Sequence, residues 1–416
     1  MQRALFIALI IAMIAGIVVG AIIHGSVSTA MAAEIAGYIK IGSDIFLRMI
    51  KMIIAPLILT TLSAGIAHVG GGAALGRIGA RTMAWFITAS FVSLALGLLI
   101  ATLLAPGAGF DPTGLVDEAP KLATAAFSLR EFLSHVFPTS FIEAMAKNEV
   151  LQIVVFSLFL GTALQAMGPK AKLVTELLEQ GGHVMLKITG YVMTFAPVAV
   201  FAALAAVVAT QGLGVLVDYG RLVGSFYIGL LILWALLVGA GFVVLGPSVG
   251  KLIGSLRDPL VLAFATASSE AAYPRVLAKV EEYGVANRVA SFVLPLGYSF
   301  NLDGSMMYCT FAAMFIAQAL GVEITLTEQI LMLLLLMVTS KGIAGVPRAS
   351  LVVIAATLPI FGMPAEAIGL VLAVDAFMDM GRSATNVIGN SIACAVVAKW
   401  EGLLRRPGID AVAAPA

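Results

Sequence analysis

Long apolar segments dominate the chain and restrict its possible folds more than any other feature. Uncharged stretches of about 20 residues match the length of a helix that crosses the roughly 30 Å hydrocarbon core of a bilayer. Only 11% of the residues are charged, against about 25% in soluble proteins, which need a polar surface. We therefore predict an all-α polytopic membrane protein rather than a soluble enzyme or a disordered chain. The apolar segments lie near 4–24, 41–69, 82–106, 149–167, 184–211, 222–246, 286–319 and 364–398.

The composition gives no indication of a cofactor or of nucleic-acid binding. The net charge is only +1, which gives no electrostatic reason to bind nucleic acid. Cys309 and Cys394 lie in apolar sequence, as small packing residues do. The four histidines show no ligand spacing, so we expect no transition metal. Ala4–Ile23 is longer than the roughly 7–15 residue apolar region of a signal peptide, which favours a retained first helix.

Lysine and arginine residues cluster in alternate connections between the segments. Cytoplasmic loops carry an excess of these residues. With an even number of crossings, this distribution predicts that both termini are cytoplasmic and that the 107–148 loop faces outward. The clustered residues are Arg3, Arg77, Arg81, Lys170, Lys172, Lys251, Arg257, Lys399, Arg405 and Arg406.

Two other apolar stretches, 258–283 and 327–362, are interrupted near the middle by the polar runs 266–270 and 339–348. The half-helices on either side reach about 15 Å, half the hydrocarbon core. Irregular backbone at that depth is stable only when it is buried in protein or lines a water-filled cavity. Each stretch therefore predicts a re-entrant hairpin, and two hairpins that each precede a polar helix indicate an inverted repeat around a transport site. Loops between ordinary spans are the alternative.

Five polar side chains share one face of the last apolar segment: Asp375, Asp379, Arg382, Asn386 and Asn390. At about 100° per residue they fall within an arc of roughly 80°. Charges at this depth are costly and mark functional sites by default. Arg382 can hold a carboxylate bidentately, Asp379 can pair with an ammonium group, and Asp375 can orient the guanidinium. We predict a site for an acidic amino acid, the alternative being a structural Asp–Arg pair.

The preceding segment is broken at 294–305. Pro295, Gly297 and Gly304 loosen the helix and free backbone carbonyls, while Asn301 and Asp303 add side-chain oxygens. Hard oxygen ligands at an unwound helix suit Na⁺. A cation site is predicted, with a polar kink as the alternative.

Together these motifs resemble the glutamate transporter family, the dicarboxylate/amino acid:cation symporters, and most of all its bacterial proton/sodium–glutamate branch. Asn-Leu-Asp-Gly-Ser at 301–305 resembles the family's Asn-Met-Asp-Gly-Thr motif, and the serines of 268–270 resemble its first hairpin. Residues 341–347 resemble the second hairpin, 44–56 the second helix and 375–390 the last helix.

The resemblance implies eight transmembrane helices, two re-entrant helical hairpins and a homotrimer with an elevator mechanism, placed in a bacterial-type inner membrane. Residues 1–76 and 107–216 would form the scaffold, with the extracellular loop. Residues 77–106 and 217–400 would form the mobile transport domain, and 401–416 a cytoplasmic tail.

The resemblance also implies two sets of binding residues. Substrate would contact Ser268, Ser269, Ser305, Ala344, Gly345, Val346, Asp379, Arg382, Ser383 and Asn386. Cations would contact Gly297, Ser299, Asn301, Asp303, Ser340, Asn386 and Asn390.

Departures from the family pattern concern the coupling ion. Asn390 stands where sodium-coupled members have an aspartate, and losing that charge should weaken a Na⁺ site. Thr88 and Ser90 keep hydroxyls near a third sodium site of the family. Glu270 in the first hairpin is our candidate proton carrier, with an ion pair to Arg275 as the alternative.

The sequence therefore predicts a secondary active symporter, not an enzyme, that imports glutamate or aspartate with H⁺ and/or Na⁺ and uses no cofactor. A C4-dicarboxylate symporter is the alternative, although the carboxylate of Asp379 would repel a substrate without an ammonium group. An ion channel or a membrane-embedded enzyme would require a continuous polar pore or a nucleophile–base pair.

Overall fold

The computed structural model describes residues 2–67, 72–110, 134, 136–213, 219–339, 349–372 and 374–405. In these ranges the chain forms α-helices and short 3-10 turns, with one isolated β-bridge, so the all-helical prediction is confirmed. The helices are α1 (Gln2–Ser26), α2 (Thr29–Ala67), α3 (Gly72–Leu104), α4 (Phe141–Lys147), α5 (Val150–Met167), α6 (Lys172–Val192), α7 (Ala196–Gln211), α8 (Gly220–Leu245), α9 (Ser248–Ser255), α10 (Arg257–Thr266), α11 (Ser269–Tyr283), α12 (Asn287–Phe300), α13 (Asp303–Ala319), α14 (Leu326–Thr339), α15 (Ala349–Thr357), α16 (Gly369–Leu372) and α17 (Asp375–Trp400).

Several helical stretches are long and apolar enough to cross a membrane, which fits a membrane-integral protein. The longest single helix, α2, has 39 residues and reaches about 58 Å, nearly twice the hydrocarbon core. It must therefore tilt or project beyond the core. Within the described residues the candidate spans are Ile7–Ser26, Thr29–Ala67, Gly76–Leu104, Val150–Gln211 and Gly220–Leu245.

The apolar segment predicted at 184–211 differs from the helices observed there. Helix α6 begins well before it, at Lys172, and a 3-10 turn at Met193–Phe195 separates α6 from α7. Pro197 lies in the first turn of α7, where the missing N–H of proline costs no hydrogen bond. Proline therefore divides one apolar run into two helices.

The helices pack as two groups. In the first, α1, α2, α5, α6 and α7 contact one another. In the second, α3, α8 and α10–α13 contact α17. Small residues allow close approach in the first group, because a Cβ at Gly16 or Gly20 would lie 2.7 Å from the carbonyl oxygen of Phe201 or Ala205 on α7. Contacts between the groups include α2 with α11 and α12, and α7 with α10.

Residues 258–283, predicted as a re-entrant hairpin, form most of α10 and all of α11, and the two helices pack against each other across a two-residue turn. Ala267 has a left-handed backbone, with φ of 48°, and reverses the chain. The Ser268 hydroxyl then accepts a hydrogen bond from the Ala271 amide at 3.3 Å and caps α11. Ser268 is predicted only as a substrate residue, not as this helix cap.

The tip predicted for the second hairpin lies outside the described residues. Helices α14 and α15 flank it and contact each other. The binding residues predicted there are Ser340, Ala344, Gly345 and Val346.

The break predicted in the 286–319 segment is confirmed. Helix α12 ends at Phe300, and Asn301 leaves helical geometry with φ of −129° and ψ of 62° before α13 begins at Asp303. The last apolar segment is predicted from 364, but the long helix begins only at Asp375. A 3-10 turn that follows Pro364 and the short α16 occupy the intervening chain.

Residues 401–405, at the start of the predicted cytoplasmic tail, pack on the turn between α11 and α12. The Ala286 amide donates to the Leu403 carbonyl at 3.1 Å, and the Arg405 amide donates to the Gly284 carbonyl at 2.9 Å. The start of the tail is therefore fixed to the helical body.

Candidate functional site

The break between α12 and α13 lies directly against α17. The side-chain oxygen Oδ1 of Asn386 accepts a hydrogen bond from the Gly304 amide at 2.9 Å, and Asn386 Nδ2 donates to the Ser305 hydroxyl at 3.3 Å. A Cβ at Gly304 would collide with the backbone carbonyl of Arg382. Glycine at this position thus allows the broken helix to approach the polar face of α17.

A buried cluster of charges surrounds Arg382. Its Nε donates to Asp379 Oδ1 at 2.8 Å, and its Nη1 lies 3.6 Å from Asp375 Oδ1. The Ser383 hydroxyl also donates to Asp379 Oδ1, at 3.1 Å. The five residues of the predicted stripe all lie on α17, and the carboxylate of Asp375 is near the guanidinium that it is predicted to orient.

The two carboxylates of this cluster differ in accessibility. Asp375 and Arg382 have side-chain exposures of only 1% and 3%, whereas that of Asp379 is 20%. Arg382 Nη1 is buried and makes no hydrogen bond. A ligand with both an anionic and a cationic group can therefore meet an unsatisfied guanidinium donor and an accessible carboxylate within one turn of helix.

Tyr308 on α13 is a residue that sequence analysis missed. Its hydroxyl donates to Asp375 Oδ1 at 3.1 Å, and its ring centroid lies 4.5 Å from the Arg382 guanidinium carbon. The Arg382 guanidinium thus lies over the Tyr308 ring and makes a cation–π contact with it. A single aromatic residue in an apolar helix carries no signal of such a role.

A second polar cluster forms between the helix break, α17 and α3. Asn301 Nδ2 donates to Asp303 Oδ2 at 3.0 Å and to Asn390 Oδ1 at 3.2 Å. The Ser93 hydroxyl donates to Asp303 Oδ1 at 3.3 Å. Gly297 and Gly389 keep the cluster compact, since a Cβ at these positions would displace the side chains of Asn390 and Asp303 respectively.

The atoms of this cluster fit a hard cation. Asp303, Asn301 and Asn390 are fully buried, yet Asn301 Oδ1 and Asn390 Nδ2 have no hydrogen-bond partner. Buried polar atoms without partners are costly. A carboxylate beside a free amide oxygen is an oxygen donor set of the kind that Na⁺ prefers.

The remaining predicted residues differ in their burial. Ser269 is buried, whereas Ser268, Ser299, Ser305 and Glu270 are half-buried.

On α3, Ser90 donates to the Phe300 carbonyl at the helix break, at 3.4 Å. Thr88 is exposed and bonds the Ala84 carbonyl of its own helix, so the prediction that its hydroxyl lies near a cation site is wrong. Two residues along a helix correspond to about 200°, which places Thr88 on the opposite face from Ser90.

A cavity of about 560 Å³ is lined by the charged cluster around Arg382, by the turn between α10 and α11 and by α2. Arg382, Asp379 and Asn386 line one wall, and the hairpin turn with Glu270 lines another. Polar residues of α2, including Lys51, face them across the cavity. Its size suits a small organic ligand.

The chain is similar to known proteins over most of its length. The model of the sodium:dicarboxylate symporter family matches residues 5–400. The proton/sodium-glutamate symport protein of Bacillus subtilis (strain 168) is 37% identical over 88% of this chain and 87% of its own. The proton/glutamate-aspartate symporter of Escherichia coli (strain K12) is 41% identical over 86% and 84%. The C4-dicarboxylate transport protein 2 of Polaromonas naphthalenivorans (strain CJ2) is 39% identical over 89% and 84%. The chain therefore belongs to the sodium:dicarboxylate symporter family.

Proposed function

We propose that this membrane transporter imports glutamate or aspartate together with H⁺ and/or Na⁺. Family membership makes it a symporter rather than an enzyme. The observation that carries the substrate assignment is the buried guanidinium of Arg382 beside the accessible carboxylate of Asp379. Relatives with 37–41% identity are named as glutamate or glutamate-aspartate symporters that use protons or sodium, which supports the same substrate class.

In this proposal the substrate's side-chain carboxylate binds Arg382 and its ammonium group binds Asp379. Binding requires the Asp379–Arg382 contact of 2.8 Å to be exchanged for contacts with the ligand. Asp375 and Tyr308 keep the guanidinium in place while this occurs. Further contacts come from the other predicted substrate residues: Ser268, Ser269, Ser305, Ala344, Gly345, Val346, Ser383 and Asn386.

Cation coupling follows from the charge balance of the site. Among the described residues, the two clusters together contain three buried or half-buried carboxylates, of Asp303, Asp375 and Asp379, and one guanidinium, of Arg382. An acidic amino acid adds a further net negative charge. Uncompensated charge in a membrane interior is costly, so substrate should bind only with cations or protons. We assign cations to Gly297, Ser299, Asn301, Asp303, Ser340, Asn386 and Asn390, and a proton to Glu270.

We further propose the architecture that the family resemblance implies: eight transmembrane helices, two re-entrant hairpins and cytoplasmic termini in a homotrimer. The two packing groups support a scaffold of 1–76 and 107–216 and a transport domain of 77–106 and 217–400. The transport domain would carry the site across the membrane as an elevator.

A C4-dicarboxylate symporter is the second candidate, because relatives named as C4-dicarboxylate transport proteins are 37–40% identical to the chain. A dicarboxylate has no ammonium group for Asp379 and would add a second uncompensated charge beside it. Substitution of this residue separates the two candidates. Asp379→Asn should impair glutamate uptake and improve competition by succinate, whereas unchanged glutamate uptake would contradict the amino-acid assignment.

Uptake into proteoliposomes, with Na⁺ and pH gradients imposed separately, tests the proposal as a whole. We expect labelled glutamate or aspartate to accumulate against its gradient, and at least one of the two ion gradients to drive it. Arg382→Ala should abolish binding of acidic substrates. Equilibration without accumulation under both gradients would indicate a channel and refute the symport mechanism.

A further inference from the structure

The hydroxyl of Tyr298 on α12 is buried without a partner. We propose that Tyr298 positions the carboxyl group of Glu270 and links its protonation to the cation cluster at the helix break. This inference rests on the proposed proton coupling and adds to it a residue that neither the sequence pattern nor the family comparison assigns.

Tyr298 and Glu270 belong to the wall of the same cavity, the one of about 560 Å³. Both residues line it, and the Tyr298 side chain is within electrostatic reach of Glu270. The ring of Tyr298, which is 7% exposed, packs edge-on against Tyr273 with 5.4 Å between centroids. Tyr273 lies on α11 three residues after Glu270, so this contact fixes the phenol beside the helix that carries the carboxyl group.

Both polar groups lack other partners. The Tyr298 hydroxyl makes no hydrogen bond, and Glu270 forms neither a hydrogen bond nor an ion pair with another described residue. The ion pair between Glu270 and Arg275, the alternative that the sequence left open, is not formed, and Arg275 Nε is itself without a partner. A buried phenol is expected to find an acceptor, and Glu270 is an acidic group of the same cavity without a hydrogen-bond partner among the described residues.

The other charged groups near Glu270 do not replace this partner. On α2, Lys51 attracts the carboxylate across the cavity but is itself exposed, and Asp44 also lines the cavity. On α17, the carboxylates of Asp375 and Asp379 are engaged with the guanidinium of that helix. The other titratable groups that line the cavity are Lys40 on α2, Arg382 on α17 and Cys309 on α13.

The position of Tyr298 on α12 connects the Tyr298–Glu270 pair to the cation cluster. Asn301, three residues later, is about one turn away and bonds both Asp303 and Asn390. When Glu270 is ionised, the phenol donates to its carboxylate. When Glu270 takes up a proton from the cavity, the carboxylic acid becomes a donor and the phenol an acceptor. The reversal acts on the last turn of α12, which ends in the cation cluster.

Tyr298→Phe tests this inference, with Tyr273→Phe as a matched control. Both tyrosines are buried, both hydroxyls are unpartnered and both rings share one contact, but only Tyr298 lines the cavity. Loss of a donor to a carboxylate favours its protonated form. Tyr298→Phe should therefore move the pH of half-maximal uptake upward by about one unit, and Tyr273→Phe should leave it unchanged.

The double variant with Glu270→Gln completes the design. Glu270→Gln should abolish the pH dependence, and Tyr298→Phe should add nothing to the profile in that background. A wild-type pH profile in Tyr298→Phe would overturn the inference, as would an equal shift in Tyr273→Phe, which would indicate a structural effect. A shift that persists in the Glu270→Gln background would overturn it as well.

An infrared titration of the purified transporter separates failure of this inference from failure of proton coupling. A carboxylic C=O band that Glu270→Gln removes reports protonation of Glu270 without any transport. We expect Tyr298→Phe to shift this band in frequency and in titration midpoint. If the band shifts but a pH gradient drives no uptake, the Tyr298–Glu270 contact stands and proton coupling fails. If neither frequency nor midpoint changes, the contact itself is refuted.

Discussion

Replacing Tyr308 should weaken substrate binding in two separable steps. Tyr308→Phe removes the hydroxyl that donates to Asp375 Oδ1 at 3.1 Å but keeps the ring 4.5 Å from the Arg382 guanidinium carbon. The same oxygen of Asp375 lies 3.6 Å from Arg382 Nη1. Without the phenol donor, Asp375 attracts the guanidinium more strongly and competes better with the substrate carboxylate.

The magnitude follows from the interactions that each substitution removes. A hydrogen bond to a charged group contributes about 1.5–3 kcal/mol, and each 1.4 kcal/mol is about tenfold in affinity. Tyr308→Phe should therefore raise the Kd for glutamate or aspartate about 10- to 100-fold. Tyr308→Leu also removes a buried cation–π contact of about 2 kcal/mol, which should weaken binding by about another 30-fold.

Isothermal titration calorimetry of the purified variants, with cation saturating and the melting temperature recorded, measures both steps. Tyr227→Phe is the control, because its hydroxyl donates to the Phe377 carbonyl at 2.7 Å on α17 but does not contact the Asp375–Arg382 pair. A wild-type Kd in Tyr308→Phe, or an equal loss in Tyr227→Phe, would refute the orienting role of Tyr308.

Three other changes probe the cation cluster and helix α4. Gly389→Ala should displace the carboxylate of Asp303, with which its Cβ would collide, and reduce cation-dependent uptake at least tenfold. Asn390→Asp adds a formal charge to the cluster and should raise the apparent Na⁺ affinity in uptake assays. The ion pair of Glu143 with Lys147, at 2.7 Å, lowers the pKa of Glu143. Its stabilisation should be present above the ordinary carboxyl pKa and lost as the pH falls through the lowered value, so melting temperatures of Lys147→Met and wild type should converge in acid.

Controls for these changes use positions of the same chemistry. Gly250→Ala, where a Cβ would meet nothing within 4 Å, should leave uptake unchanged, and equal losses at Gly389 and Gly250 would contradict the steric argument. Asn390→Gln keeps the amide and should not raise Na⁺ affinity. A melting difference for Lys147→Met that stays constant down to acid pH would show that the pair does not stabilise the fold.

The substrate stripe was predictable from sequence because it belongs to a single helix. Helical periodicity alone places Asp375, Arg382 and Asn386 on one face of α17, and the apolar surroundings make these charges conspicuous. The break at Asn301 was predictable for a similar reason, since proline and glycine act locally on the backbone. Features that depend on one helix therefore follow from the order of residues.

Residues that act between helices were not predictable in this way. Tyr308 and Ser93 reach the site only because α13 and α3 pack beside α17 and the helix break. Ser93 nevertheless had a usable signal. It lies three residues after Ser90, and so on nearly the same face of α3, whereas Thr88 faces away. Consistent use of helical periodicity on α3 would have selected Ser93 and rejected Thr88.

The amide of Asn390 has a consequence for coupling. Asn301 Nδ2 divides its hydrogen bonds between Asp303 and Asn390, while Asn301 Oδ1 and Asn390 Nδ2 remain without partners. A carboxylate at 390 would instead present two acceptors to a cation. Among the described residues, the cluster therefore holds only the charge of Asp303 for a metal ion, yet the proposed substrate site beside it, with Asp375, Asp379 and Arg382, carries excess negative charge. That excess must be neutralised elsewhere, and Glu270 at the same cavity, with a proton, can remove one negative charge without a metal ion.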